Sequence, residues 1–203
     1  MKKIAKYLLA AMLVVIAQCA FAQDATKILD KASAAMKSAG KVKVGFTMSA
    51  EGGSQVGYIK LSGQKFVVNM GGNVTWFDGT TMWNYVKRNE EVNVTNPTAA
   101  EVAKMNPYAF ITFCKKGYTA KMGKSTSKEY EIVLTGQGNA PFSNVVLKLN
   151  KSTYMPQSIK MTSAKAGTTT IVCNSIAKNQ KFSASTFRFN KKNYPKAEII
   201  DLR

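Results

Sequence analysis

The sequence predicts a mainly β protein: a curled antiparallel sheet of about eleven strands with a helical lid over an apolar cavity. Three observations predict it. From Lys41 onward apolar and polar residues alternate with a period of two, in run after run. Glycine-rich or polar breaks such as Gly71-Gly72-Asn73 and Asp78-Gly79 separate the runs. Only two or three short stretches carry helical spacing, too few to cover so many strands. An open sheet beyond about ten strands curls or splits. Its convex face can be polar and lysine-rich, while its concave face must carry the Val, Phe, Trp, Tyr, Met and Leu side chains of the same strands. A few helical turns fill such a concavity only in part, which leaves a binding architecture for something apolar.

The chain begins with Lys2, Lys3 and Lys6, an apolar run from Tyr7 to Ala17, and the small-x-small triplet Ala20-Phe21-Ala22. This is the pattern of an export signal cut before Gln23, giving residues 1–22 as signal peptide and 23–203 as one mature domain. The apolar run is shorter than the roughly 20 residues of a spanning helix. A retained membrane anchor and a lipid on Cys19 are the alternatives. Gln18 is larger than the residue that usually precedes a lipidated cysteine.

Residues 24–39 read as a helix, with Ala25, Ile28, Leu29, Ala32, Ala35 and Met36 on one face and Gly40 at the C-cap. A strand follows, Val42, Val44, Phe46 and Met48 alternating with Lys43, Gly45, Thr47 and Ser49. Further strands are expected at about 54–62, 65–70, 73–77, 81–87 and 90–95, with Asp78-Gly79 as a hairpin turn. Pro97 and the capping-box spacing Thr98-x-x-Glu101 start a short helix to about Met105. Asn106-Pro107 restarts the chain into an apolar segment that ends near Gly117. Strands are then expected at 118–124, 129–135, 144–150, 156–164, 168–176 and 186–190, with Ile199-Ile200 as a last short edge.

Composition excludes several function classes. The 203 residues include no histidine, which counts against catalytic triads, zinc sites and histidine pH switches. No GxSxG, P-loop or metal-ligand spacing occurs, and no cofactor is expected. Glu90 and Glu91 are neighbours on a strand and point to opposite faces, so they make a poor carboxylate pair; Asp78 is explained by its turn. An enzyme is not expected. Lys and Arg total 29 against 11 acids; removing the leader takes away three lysines and no acids, leaving 26 against 11, a net of +15. Only Arg88, Arg188 and Arg203 are arginines, whereas nucleic-acid readout favours arginine, so no nucleic-acid partner is expected. A dispersed positive field suits anionic headgroups or an acidic partner. Cys114 and Cys173 remain after cleavage and are either a disulfide or two buried small hydrophobes.

The segment Trp76-Phe77-Asp78-Gly79-Thr80-Thr81-Met82-Trp83-Asn84-Tyr85 resembles the DGxTLWxY hairpin of the periplasmic outer-membrane lipoprotein carriers, the LolA family. Three further features fall in family order: Ala39-Gly40-Lys41-Val42 leading into Val44-Gly45-Phe46-Thr47; Asn106-Pro107-Tyr108-Ala109-Phe110-Ile111, similar to the lid helix; and Phe187-Arg188-Phe189 followed by Asp201-Leu202-Arg203. The resemblance spans essentially the whole mature chain. It implies an unclosed β-barrel with a helical lid, whose hollow holds the acyl chains of lipid-modified lipoproteins. It further implies a periplasmic monomer that receives cargo from an inner-membrane ABC transporter and yields it to an outer-membrane acceptor. The chain departs from the family at Leu61-Ser62-Gly63-Gln64-Lys65-Phe66, where an arginine-proline pair that latches the lid is often found. Gln64 and Lys65 stand at that place. Lipid-binding and envelope-stress sensor modules share the fold, and the departure favours them as the alternative. An envelope hydrolase is the third possibility.

Candidate lid contacts are Tyr108, Phe110, Ile111 and Phe113; candidate cavity-wall residues are Phe46, Met48, Phe66, Trp76, Trp83 and Tyr85, with Met82 beside them. For each, fixed core packing is the competing role. A lid that packs into the empty hollow would have to be displaced by cargo, which keeps binding reversible.

Overall fold

The computed structural model describes residues 24–106 and 117–203. Helix α1 (24–38) leads through Gly40, whose φ of 65° supplies the left-handed C-cap, into the first strand. The strands are β1 (Val42–Ala50), β2 (Gly53–Ser62), β3 (Lys65–Met70), β4 (Asn73–Phe77), β5 (Met82–Val86) and β6 (Glu91–Thr95). After helix α2 (Ala99–Met105) come β7 (Tyr118–Met122), β8 (Glu129–Gly136), β9 (Asn144–Asn150), β10 (Pro156–Ser163), β11 (Gly167–Ala177) and β12 (Glu198–Asp201). α2 starts as expected: the Thr98 side chain accepts from Glu101 N–H, and the Glu101 carboxylate accepts from Thr98 N–H at 2.8 Å. No helix among the described residues is long and apolar enough to cross a membrane.

All twelve strands join one sheet in the order β12-β6-β5-β4-β3-β2-β1-β11-β10-β9-β8-β7. Two meanders, β1–β6 and β7–β11, are zipped together where β1 pairs with β11. The sheet is curled and unclosed, ending at β12 and β7. It is antiparallel except at one edge, where β12 pairs parallel to β6, Ile199 opposite Val92.

The concave face is filled from one side. Ala25, Leu29, Ala32 and Met36 of α1 form one buried cluster with Ile132, Leu134, Val145, Leu147 and Leu149 of β8 and β9. The helix is thus a plug for the β7–β10 half of the trough, because its apolar stripe is long enough to cover those strands.

Two expectations are corrected on the other side. The stretch 186–190 is not a strand: Ala184–Phe187 is a 3-10 turn and the chain then runs extended across the sheet. Its alternation reads like a strand because Phe187 and Phe189 both face the protein and Arg188 faces outward; it meets the sheet through side chains rather than backbone. The convex face is also not uniformly polar. Over β3–β6 it carries Val67, Val74, Trp76, Trp83, Tyr85, Val92 and Val94, and the segment Phe182–Ala197 covers it. Trp76 meets Phe189 and Tyr194 edge-on, with centroids 5.7 and 5.4 Å apart, and Tyr85 lies 4.6 Å from Tyr194.

Candidate binding hollow

Strand register determines what faces the trough. One cross-strand row reads Ile176, Val44, Ile59, Val68, Thr75, Asn84, Asn93 from β11 to β6, each residue directly opposite the next. A deeper row reads Val42, Leu61, Phe66, Phe77, Met82, Thr95. The row above reads Cys173, Phe46, Gly57, Met70, Asn73. Between the α1 plug and β4–β5 these rows enclose a hollow of about 450 Å³, within the usual range for a small-ligand site of about 300–1,000 Å³. Val44, Phe46, Ile59, Val68 and Ile171 line it, together with five methionines: Met36, Met48, Met70, Met105 and Met155. Unbranched thioethers adapt to irregular apolar guests.

Two backbone details shape the hollow. A bulge between Gly45 and Phe46 in the β1–β11 pairing leaves Asn174 as the extra residue, its side-chain amide donating to Thr47 Oγ1 at 2.9 Å. The bulge lets Cys173 and Ile176, three apart, both face inward. At Gly57 an added Cβ would lie 2.6 Å from the Asn69 carbonyl oxygen and 2.8 Å from the Phe46 ring, so only glycine leaves the Phe46 ring room to lie over β2. Burial pushes the Cys173 thiol up to about 11, so it lines the hollow as an inert, uncharged group.

Of the six wall candidates, Phe46 and Met48 face the hollow. Phe66 lies below it, fully buried with its ring 5.3 Å from Phe77. Met82 is buried in the same cluster. Trp76, Trp83 and Tyr85 are on the opposite face, packed under the C-terminal segment, and their place as cavity wall is corrected. The period of two puts Thr75 and Asn84, not Trp76 and Trp83, on the concave side. The lid candidates Tyr108, Phe110, Ile111 and Phe113, and Cys114, lie outside the described residues. Cys173 is a free thiol. Among the described residues no three carboxylate or thiol groups gather as metal ligands.

The family motifs serve structure here. Asp78 Oδ1 accepts from the N–H groups of Thr80 and Thr81 at 3.1 and 3.0 Å, closing the hairpin turn, while Arg188 donates to Oδ2 at 3.0 Å. The buried Asn106 side chain donates to the Gln64 carbonyl at 3.0 Å, fixing the end of α2 to the β2–β3 turn.

A family model for the outer membrane lipoprotein carrier protein LolA matches residues 13–165. The chain belongs to the LolA family. A comparison with curated protein sequences returns no match. Among solved structures, an uncharacterised conserved protein of Thermus thermophilus superposes with a TM-score of 0.63 at 13% identity, over 88% of this chain and 99% of its own. A putative outer membrane lipoprotein-sorting protein domain of Vibrio parahaemolyticus superposes with a TM-score of 0.50 at 11% identity, over 86% of this chain and 100% of its own. At these identities the likeness is one of fold, and it covers most of the chain.

Proposed function

We propose that the protein is an exported LolA-family carrier that holds the acyl chains of lipid-modified lipoproteins in its concave hollow and moves them across the periplasm from inner to outer membrane. The single observation that carries this reading is the hollow itself, about 450 Å³ lined by aliphatic and thioether side chains on an unclosed sheet. The action is non-covalent. A chain of about fifteen methylenes gains of order 12 kcal/mol when fully buried. Partial occupancy by the protein's own side chains lowers that figure and permits release to an acceptor. The cargo donor in this reading is an inner-membrane ABC lipoprotein-releasing transporter. Depletion of the protein in a cell without a second carrier should strand outer-membrane lipoproteins in the inner membrane; unchanged sorting would reject the proposal.

A second reading is favoured by the turn at Leu61–Phe66, which lacks the latch arginine and is held by Asn106. The hollow then serves a lipid-binding or envelope-stress sensor module. Mass spectrometry of natively isolated protein separates the two, since a sensor carries free lipid and accepts no lipoprotein from spheroplasts.

A further inference from the structure

The row across the floor of the hollow changes character along its length. Val44, Ile59 and Val68 are aliphatic; Thr75, Asn84 and Asn93, continuing the same row on the same face, are polar. Thr75 is 7% exposed, and its hydroxyl donates to Asn84 Oδ1 at 3.0 Å. That bond fixes the half-buried Asn84 amide with its Nδ2 donors left over; among the described residues nothing accepts from them. An ordinary apolar floor would place Val or Leu at these positions, since an amide turned into an apolar hollow with unused donors is costly. None of the described residues lining the hollow is charged.

From this row we infer that the β4–β5 end of the hollow is a polar subsite that takes the carbonyl of an acyl ester or amide, with Asn84 Nδ2 as donor and Thr75 as the residue that positions it. The described lining is neutral and suits a neutral acceptor rather than a carboxylate or a phosphate, for whose charge it offers no partner. The tail then runs toward Val44, Ile59 and Val68. This deepens the acyl-chain reading above and rests on it: the hollow is directional, and it distinguishes an acyl chain from a plain hydrocarbon.

The test uses the mature protein loaded with the apolar dye N-phenyl-1-naphthylamine, displaced by monopalmitoylglycerol, by its ether analogue hexadecylglycerol, and by palmitoylethanolamide. Ester and ether share head and tail and differ in the carbonyl. The wild type should prefer a carbonyl-bearing ligand over the ether by about fivefold, the worth of one neutral hydrogen bond. Which of ester and amide is tighter tells glyceride-type from N-acyl-type ligands. Asn84→Leu should reduce the preference to none while binding the ether at least as well, and Thr75→Val should reduce it in part. Equal displacement by ester, amide and ether in the wild type, or a preference that survives Asn84→Leu, overturns the subsite while leaving the hollow intact. Failure of the wild type to bind the dye overturns the hollow reading as well. Dye binding by each variant shows that it is folded, and Asn84→Ala serves if Asn84→Leu does not fold.

Discussion

Arg188 donates from Nε to Asp78 Oδ2 at 3.0 Å, joining two motifs that lie 110 residues apart. The guanidinium carbon also sits 6.0 Å from the centre of the Trp83 ring. The contact pins the segment Phe182–Ala197 over the β4–β5 hairpin and so keeps the aromatic layer of the convex face covered. The hairpin motif and the C-terminal motif are therefore two halves of one structural joint.

Asp78 contributes more to this joint than Arg188. Asp78→Ala removes an acceptor for two backbone N–H groups as well as the ion pair and should cost about 1–3 kcal/mol. Arg188→Ala removes an exposed partner and should cost about 0–1 kcal/mol. Urea denaturation of both variants checks the order, and an equal or reversed loss contradicts it.

The same joint is pH-dependent. Partial burial acts to raise the Asp78 pKa, but hydrogen bonds from the Thr81 and Thr80 backbone and the charge of Arg188 outweigh it, and the net direction is down from 3.8. A depressed carboxylate stabilises the fold above its unfolded pKa, and that contribution is lost as pH falls through the folded one. The stability gap between wild type and Asp78→Asn should therefore hold at neutral pH and shrink only below pH about 4. Denaturation midpoints across that range decide it.

The tryptophans of the hairpin should behave as core, not as ligand contacts. Trp76→Ala removes a ring that is 7% exposed and should cost about 3–5 kcal/mol, with the folded fraction binding an apolar dye as before. Val68→Trp, on the other face, should leave the fold in place and weaken dye binding at least about tenfold by filling the hollow. Dye titration alongside denaturation separates the two effects, and weakened dye binding by folded Trp76→Ala would return Trp76 to the wall.

Gly57 should tolerate no side chain. Gly57→Val places atoms against the Asn69 carbonyl and the Phe46 ring, and the backbone neighbour cannot yield. The loss should be about 1–3 kcal/mol by urea denaturation; a neutral result would show that Phe46 lies elsewhere.

Cys173 should alkylate slowly and become faster as pH rises toward its pKa of about 11, because the thiolate is the reactive form. In a Cys114→Ser background, an apolar ligand should slow labelling by N-ethylmaleimide further, since the thiol lines the hollow. Labelling at the rate of a free thiol, or indifference to ligand, would contradict this placement.

Much of the fold is legible residue by residue. The Thr98–Glu101 capping box, the left-handed Gly40 and the Asp78-Gly79 turn are local devices whose chemistry does not depend on the rest of the chain. The hairpin registers follow from these turns and from alternation. The cavity wall was legible only in part. Phe46 and Met48 face it, but Trp76, Trp83 and Tyr85 do not, because alternation tells which residues share a face and not which face is concave. Size misleads on this point: over β3–β6 the outer face is covered too, and the larger rings lie on it. Thr75 and Asn84 gave no signal of their own, since a polar residue on a strand ordinarily faces water. Carrying the Val44 row from hairpin to hairpin would have found them.

By itself the sequence determined most of the strands and their turns, the two helices and the family to which the chain belongs, because each is written in local spacing or in short ordered motifs. Only the tertiary structure decided which face curls inward, that α1 plugs one half of the trough, and that the Phe187–Phe189 segment lies over the convex face instead of joining the sheet. Those choices depend on contacts between residues far apart in the chain, such as Phe189 with Trp76 and Leu29 with the β8–β9 core. No local period encodes such contacts, and burial settles them only when all the layers are present at once.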